Sequence, residues 1–347
     1  MSEAYGENTS TNKSVHKQAV HVIRPKIEEY LESKNAEDFC LMVGDIGCAD
    51  GRNSMDLYKM LSSQDTENSE HFNELLKRKG FKLCLSDLYD HSEQASKYYP
   101  GDERVTFQAD ADFCERIYPV NSMDVLLSFG ATHWLPKEMG WKGHPYGMHE
   151  SFPESVRLER KKFAEDLWNK IIAARALELK SGGILLMVNA ANHSEDAFGQ
   201  GYAARNLFDT LYKLSKEFEI ETQMNLYQRT DSEFRIPFLD SPHWELIQSA
   251  NITVECAYFK QYLSDKEKLG EEAAKEIFGK NITASFRAST ESRVKIAFKK
   301  KGIDGEELGE CLNKFYNRAR EECSKDPEYS KIDFKMNMMV ARRSNSK

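Results

Sequence analysis

The chain contains no apolar run of the ~18 residues that a membrane span requires, and Met1-Ser-Glu-Ala carries no apolar signal core. Its seven cysteines are odd in number and irregularly spaced, with no C-x-x-C pair. That pattern excludes a disulfide framework and leads us to expect reduced thiols and a cytoplasmic location. Positive charge is not in excess either. The net charge of −8 argues against a general binder of nucleic acid or anionic membrane, and Lys299-Lys-Lys301 is brief and closely followed by acids. There is no G-x-S-x-G nucleophile elbow and no dinucleotide G-x-G-x-x-G. The histidines, among them His144, His149, His193 and His243, lack the spacing of zinc ligands, so no metal is expected. At 347 residues, with 40% apolar and 30% charged side chains, the chain has the makings of an ordinary globular protein with a sizeable core.

The organising stretch is Leu41-Met-Val-Gly-Asp-Ile-Gly-Cys-Ala-Asp-Gly-Arg-Asn53. An apolar run ends on Asp45, the glycines Gly47 and Gly51 follow, and Asn53 leads into an amphipathic helix over Ser54–Leu61. Strand, glycine turn and helix build a nucleotide-sized crevice at the carboxyl end of a first parallel strand. The acid before the first glycine would repel a phosphate, so the turn suits an adenosyl-amino-acid better than a pyrophosphate. Further strands are expected at Phe81–Leu85, Val105–Ala109, Met123–Phe129 and Gly183–Asn189, with a helix over about 155–179 that Lys180-Ser-Gly-Gly183 stops. This alternation predicts an α/β fold, a Rossmann-like doubly wound sheet with an α-helical cap. Residues 1–35 read as an N-terminal arm, polar to residue 20, and a first helix over Val20–Leu31 that closes over the site. Residues 36–192 read as the cofactor-binding α/β domain, and 193–325 as a mainly helical cap with a sheet strand near 252–259. Residues 326–347 read as the final strand and tail.

Sites in open α/β sheets lie beyond the carboxyl ends of the strands. Those ends carry Asp45, Gly47, Asp87, Leu88, Asp112, Phe113, Ser128, His133 and Trp134. Asp87 is placed to accept hydrogen bonds from a ribose diol, and Phe113 to stack on an adenine face. The indole N–H of Trp134 only donates, so in a buried site it needs an acceptor such as a substrate carboxylate.

Several stretches in order resemble the SABATH family, the salicylate, benzoate and jasmonate carboxyl methyltransferases that use S-adenosylmethionine. Val43–Asn53 resembles the family's first cofactor motif and Leu85-Ser-Asp-Leu88 its second. Asp112–Pro119 is similar to S-F-Y-G-R-L-F-P, and Ser128–Leu135 to S-S-Y-S-L-H-W-L. Phe163-Ala-Glu-Asp-Leu, Arg175, Glu178–Gly183, Ile236–Ser241 and Phe286–Glu291 continue the likeness over nearly the whole chain. The resemblance implies cofactor contacts at Asp45, Asn53, Asp87, Leu88, Asp112 and Phe113, to which the strand ends add Gly47 and Ser128. It implies a carboxylate-orienting Trp134 with His133 beside it, and pocket walls at Phe208 and Phe238. The family's arm holds the carboxylate with a serine and a glutamine. Here Lys13 and His16 occupy those positions, with Ser14 and Gln18 nearby, so Lys13 and His16 are the expected acceptor contacts.

Under this resemblance the chain is an S-adenosylmethionine-dependent O-methyltransferase that esterifies a small, hydrophobic carboxylic acid, with His16, His133 and Trp134 at the reacting oxygen. The acid is already ionised at pH 7, so the absence of an obvious base is expected. N-methylation of a purine-like heterocycle, which the family also performs, and a cofactor-binding regulator without turnover are the alternatives. A homodimer is a further family expectation.

Overall fold

Leu41, Val43, Leu83, Leu85, Val125, Leu127, Ile184, Leu186, Val188 and Val340 pack on one face of a sheet. Ile46, Leu126, Leu185, Met187, Met339 and Ala341, the alternate positions of those strands, pack on the other. Strands buried on both faces read as continuous apolar runs, which is why the sequence shows them so plainly. The computed structural model describes residues 10–34, 39–136, 142–199, 201–239 and 241–344, with side chains from residue 15 onward.

Seven strands, β1 (Leu41–Ile46), β2 (Phe81–Ser86), β3 (Val105–Gln108), β4 (Met123–Phe129), β5 (Leu179–Ala190), β6 (Trp244–Val254) and β7 (Phe334–Arg343), form one sheet. Their order is β3-β2-β1-β4-β5-β7-β6. The first five are parallel, and β7 runs antiparallel between β5 and β6. On one face lie α1 (Ser10–Glu32), α2 (Met55–Leu61) and α3 (Glu70–Lys79); α4 (Ser92–Tyr98) lies beside them, between β2 and β3. On the other lie α5 (Glu154–Glu178), α6 (Arg205–Glu217), α7 (Asp231–Leu239) and α10 (Gly305–Lys325). Helices α8 (Ala257–Leu269), α9 (Glu271–Lys300) and α10 share a small core of their own around Tyr262, Phe278, Ile282 and Cys323.

Three expectations need correction. Residues 10–20 are not a polar arm but the first half of α1. Val15, Ala19, Val20, Ile23 and Ile27 recur at helical spacing and are buried, and Pro25 is accommodated inside the helix at the expense of one backbone N–H. Helix α5 does not stop on glycine; Leu179 passes directly into β5, and Gly182 (φ 78°) lies within the strand. The register jumps there, from Met123 opposite Leu179 to Val125 opposite Ile184, so the glycines absorb a bulge. Finally, the expected strand at 252–259 is in fact β6, ending at Val254, while Tyr258 and Phe259 belong to α8. Strand β6 is a half-exposed edge with a register shift between Leu246 and Gln248, so its apolar periodicity is weak.

Candidate active site

The turn after β1 is shaped by three left-handed residues, Gly47 (φ 73°), Ala49 (φ 54°) and Gly51 (φ 77°). Gly47 and Cys48 both donate their amides to the Ser86 carbonyl at 2.8 and 3.2 Å, which lays the turn against the end of β2. A side chain at Gly47 has no room, because a Cβ there would come within 2.3 Å of the Ala131 Cβ. Asp45 is fully buried and accepts the Ser54 hydroxyl at 2.5 Å. Burial pushes its carboxyl up to about 7, opposed by the Ser54 hydrogen bond and reinforced by the charge of Asp87.

Asp87 faces the same turn. One of its oxygens accepts the Ala49 amide at 2.9 Å and the other the Tyr89 amide at 3.1 Å. The carboxylate is thereby fixed, and each oxygen keeps a lone pair for a further donor. Beyond it Leu88 and Tyr89 are exposed, at 49% and 57%, which is unusual for large apolar residues at a sheet end. Phe113 is half-buried in the loop after β3, where Asp112 caps the Cys114 amide at 2.8 Å. Asn53 is half-buried in the single 3₁₀ turn Arg52–Ser54, and its side chain makes no hydrogen bond among the described residues. Arg52 is turned aside, its Nε donating to the Tyr98 hydroxyl at 2.6 Å. Carboxylates, apolar faces and glycine-lined backbone fit an adenosyl cofactor carrying a sulfonium better than a phosphate.

At the end of β4, the Ser128 hydroxyl donates to the Ile46 carbonyl at 3.0 Å. The His16 ring from α1 lies against Phe129 with centroids 4.1 Å apart. Burial lowers the His16 pKa to about 3, so the ring is neutral. Lys13 is in the first turns of α1, and its side chain lies outside the described residues.

The next segment, Ala131–Leu135, is pinned from outside the sheet. Leu135 donates to the Asn225 carbonyl at 2.7 Å and Tyr227 to the His133 carbonyl at 2.8 Å, around a bridge between Trp134 and Leu226. Arg160 on α5 is fully buried and donates to the Met224 and Leu226 carbonyls at 3.3 and 3.1 Å. Trp134 is therefore held at its backbone, while its half-buried indole N–H has no partner among the described residues. His133 lies beside it with ring centroids 5.3 Å apart. Burial, with the Arg229 charge, lowers its pKa to about 4, and its Nδ1 is buried without a hydrogen bond.

Phe208 on α6 stacks with Tyr146 at 5.5 Å, and Tyr146 lies 4.3 Å from Tyr202, which bridges to Asn192 past the end of β5. The Tyr202 hydroxyl is buried without a hydrogen bond among the described residues, and the Tyr146 hydroxyl is buried against the Gln228 backbone. These tyrosines were not foreseen, because neither belongs to a periodic pattern. Phe238 is not brought to the crevice. It packs against Trp244 at 5.5 Å. Trp244 pairs with Arg343, next to the Arg342–Ile184 pair, so it sits at the amino-terminal end of β5, the opposite edge of the sheet.

The fold also brings together His144, His149 and Asp209, whose ligand atoms lie within 4.8 Å of one another. The Tyr146 amide donates to His144 Nδ1 at 3.2 Å, and the Ser151 amide to His149 Nδ1 at 3.1 Å. His144 Nε2 lies 3.1 Å from Asp209, and His149 Nδ1 lies 2.9 Å from the Ser151 hydroxyl. The His144 and His149 rings stack with centroids 3.9 Å apart, so the expectation of no metal meets here a group whose ligand atoms are close enough to share an ion.

Known proteins share this organisation. The chain is 24% identical over 271 residues to a probable caffeine synthase of Coffea canephora, covering 71% of this chain and 68% of that protein. It is 22% identical over 268 residues to indole-3-acetate O-methyltransferase 1 of Oryza sativa subsp. japonica, covering 66% of this chain and 64% of that protein. Loganic acid methyltransferase, solved with S-adenosylhomocysteine, superposes with a TM-score of 0.73 at 16% identity, covering 99% of this chain and 96% of that one. That likeness shows the methyltransferase fold. The family model described as SAM dependent carboxyl methyltransferase matches residues 1–343. The chain therefore belongs to the S-adenosylmethionine-dependent carboxyl methyltransferases and is an enzyme of that class, with S-adenosylmethionine as its methyl donor.

Proposed function

We propose that the acceptor is the carboxylate of a small, hydrophobic acid, converted to its methyl ester, and that it lies against Trp134. The observation that carries this reading is an indole N–H without an acceptor among the described residues, on a backbone pinned by the 224–227 segment. Bound S-adenosylmethionine supplies an electrophilic methyl group on a sulfonium sulfur. Asp45, Gly47, Asn53 and Asp87 would hold its amino-acid and ribose ends, Leu88, Asp112 and Phe113 its adenine, and Ser128 the floor between them. A carboxylic acid is ionised at pH 7, so the chain needs no general base. Its residues orient one carboxylate oxygen in line with the methyl group and exclude water, which in favourable cases supplies roughly 7–11 kcal/mol. Trp134 and the neutral rings of His133 and His16 suit that task as hydrogen-bond donors to the carboxylate. Lys13 and Phe208 complete the proposed acceptor contacts.

Purified enzyme, labelled cofactor and a panel of fatty, isoprenoid and aromatic acids test the proposal. Cofactor binding with no methyl ester from any acid would reject it. Trp134→Ala should lower turnover at least tenfold, a typical cost of losing an orienting contact, while S-adenosylhomocysteine affinity changes little. Weakened cofactor binding with unchanged turnover would make Trp134 a packing residue. The likeness to a caffeine synthase favours one second reading, N-methylation of a purine-like heterocycle, which product analysis separates from esterification.

In the same reading, residues 1–35 close over the acceptor, 36–192 bind the cofactor, 193–325 cap the crevice and 326–347 complete the sheet. A cytoplasmic homodimer completes the proposal. Sedimentation of the purified protein tests the dimer, and a monomer at micromolar concentration would reject it.

A further inference from the structure

Arg175 and Glu178 sit one turn apart near the end of α5, both fully buried. Arg175 donates Nε to Glu178 Oε2 at 2.7 Å and Nη2 to Oε1 at 2.8 Å, a two-point ion pair. The pair also spends its remaining capacity on one loop. Arg175 donates to the Phe113 carbonyl at 3.1 Å and the Glu115 carbonyl at 2.6 Å. Glu178 accepts the Ile117 amide at 2.5 Å and the Tyr118 amide at 3.1 Å. Between Asp112 and Tyr118 the loop's other backbone bonds are few: the Asp112 cap on Cys114, a turn bond from the Glu115 amide to the Asp112 carbonyl, and Gln108 Nε2 on the Ile117 carbonyl at 3.5 Å. The Glu115 side chain pairs with Lys170, and the Tyr118 hydroxyl donates to the Cys84 carbonyl and Ser86. The ends of the loop's backbone path are thus held from a neighbouring helix by two donors, Arg175 Nη1 and Nη2, and one acceptor, Glu178 Oε1, which takes both amides.

Resting on the reading of Asp112 and Phe113 as the adenine wall, we infer that the Arg175–Glu178 pair is a positioning device for cofactor recognition. A buried ion pair contributes little net stability compared with an apolar replacement. What an apolar replacement cannot do is satisfy two carbonyls and two amides of a loop that lacks a ladder. The guanidinium fork matches this task, whereas lysine offers a point charge that cannot reach both carbonyls and the carboxylate in one plane. The pair touches neither substrate nor the methyl group; it acts by fixing where Phe113 stands.

Arg175→Lys and Glu178→Gln, with Phe113→Ala as reference, test the inference through S-adenosylhomocysteine affinity by calorimetry and through steady-state kinetics. Both clamp variants should weaken S-adenosylhomocysteine by about tenfold, the equivalent of one charge-assisted hydrogen bond. The loss should fall on the KM for S-adenosylmethionine rather than on kcat, with the acceptor's KM moving by less than about twofold. Because the pair works through Phe113, the double variant Phe113→Ala/Arg175→Lys should bind little more weakly than Phe113→Ala alone. If Arg175→Lys does not fold, the isosteric Glu178→Gln carries the same expectation. Wild-type affinity in the clamp variants beside a weakened Phe113→Ala overturns the inference alone. Additive losses, or equal losses for cofactor and acceptor, also overturn it, since they mark general destabilisation. Wild-type affinity in Phe113→Ala removes the adenine-wall reading, and the inference with it.

Discussion

His16 and His133 are imidazoles kept neutral by burial, and the consequence for stability has a definite sign. In the unfolded chain each ring takes up a proton near pH 6.5, whereas in the folded protein His16 does so only at about 3 and His133 at about 4. Between these values the unfolded state binds more protons, so acidification from pH 6.5 towards 4 destabilises the fold. Each ring contributes up to about 1.4 kcal/mol per pH unit across its window. His16→Phe, which can keep the stacking on Phe129, should lessen the fall in urea midpoint between pH 6.5 and 4.5. A variant as acid-sensitive as the wild type would show that His16 is not buried in solution. This property could not be read from the sequence. His16 stood out only through the family's arm motif, and its burial follows from α1 starting ten residues before the expected helix.

Among the elements, the turn between β1 and α2 is the most constrained. Gly47→Ala meets two penalties, a left-handed backbone (φ 73°) and a Cβ driven to 2.3 Å from Ala131. Together they should cost about 2–4 kcal/mol, combining positive φ with overpacking, and cofactor affinity should fall with them. Gly47→Ala/Ala131→Gly should recover the overpacking share and leave the backbone share, as measured by thermal unfolding. Full recovery, or none, would contradict this division. The turn was legible because glycine and acid spacing encodes backbone geometry directly, and the parallel strands were legible because both of their faces are buried. What stayed hidden has physical causes. The edge strand β6 is half-exposed, so its pattern blurs into α8. Tyr146 and Tyr202 meet only through long-range bridges, and Phe238 follows a family motif into a helix that aims it at Trp244.

Across the whole molecule, the two layers that flank the crevice are joined by buried arginines. Arg229 donates to the Thr132 carbonyl after β4 at 3.2 Å and to the Ala164 carbonyl of α5 at 2.7 Å. Its guanidinium lies over the rings of Trp168 at 4.9 Å and Tyr227 at 5.7 Å. Burial lowers its pKa to about 10, still high enough to stay charged at neutral pH. Arg229→Met would strand the Thr132 carbonyl, while the Ala164 carbonyl keeps its helical amide, and should cost about 1–3 kcal/mol, the scale of one unsatisfied buried group. Urea unfolding followed by tryptophan fluorescence measures it, and a loss below about 0.5 kcal/mol would be the scale of a surface change.

The position of β7 governs the order in which the chain can assemble. It is made after every other element described, yet it lies inside the sheet, pairing with β5 on one side and β6 on the other. While the ribosome is still producing residues 255–333, β5 has an open flank and β6 has no neighbour in the sheet. The parallel half can form during synthesis, but closure waits for the last strand to thread into a gap that α1, α5 and α7 already border. An unfinished chain therefore exposes the flank of β5 and both edges of β6 at once, and nascent chains halted before residue 334 should be the species that chaperones hold and proteases clear.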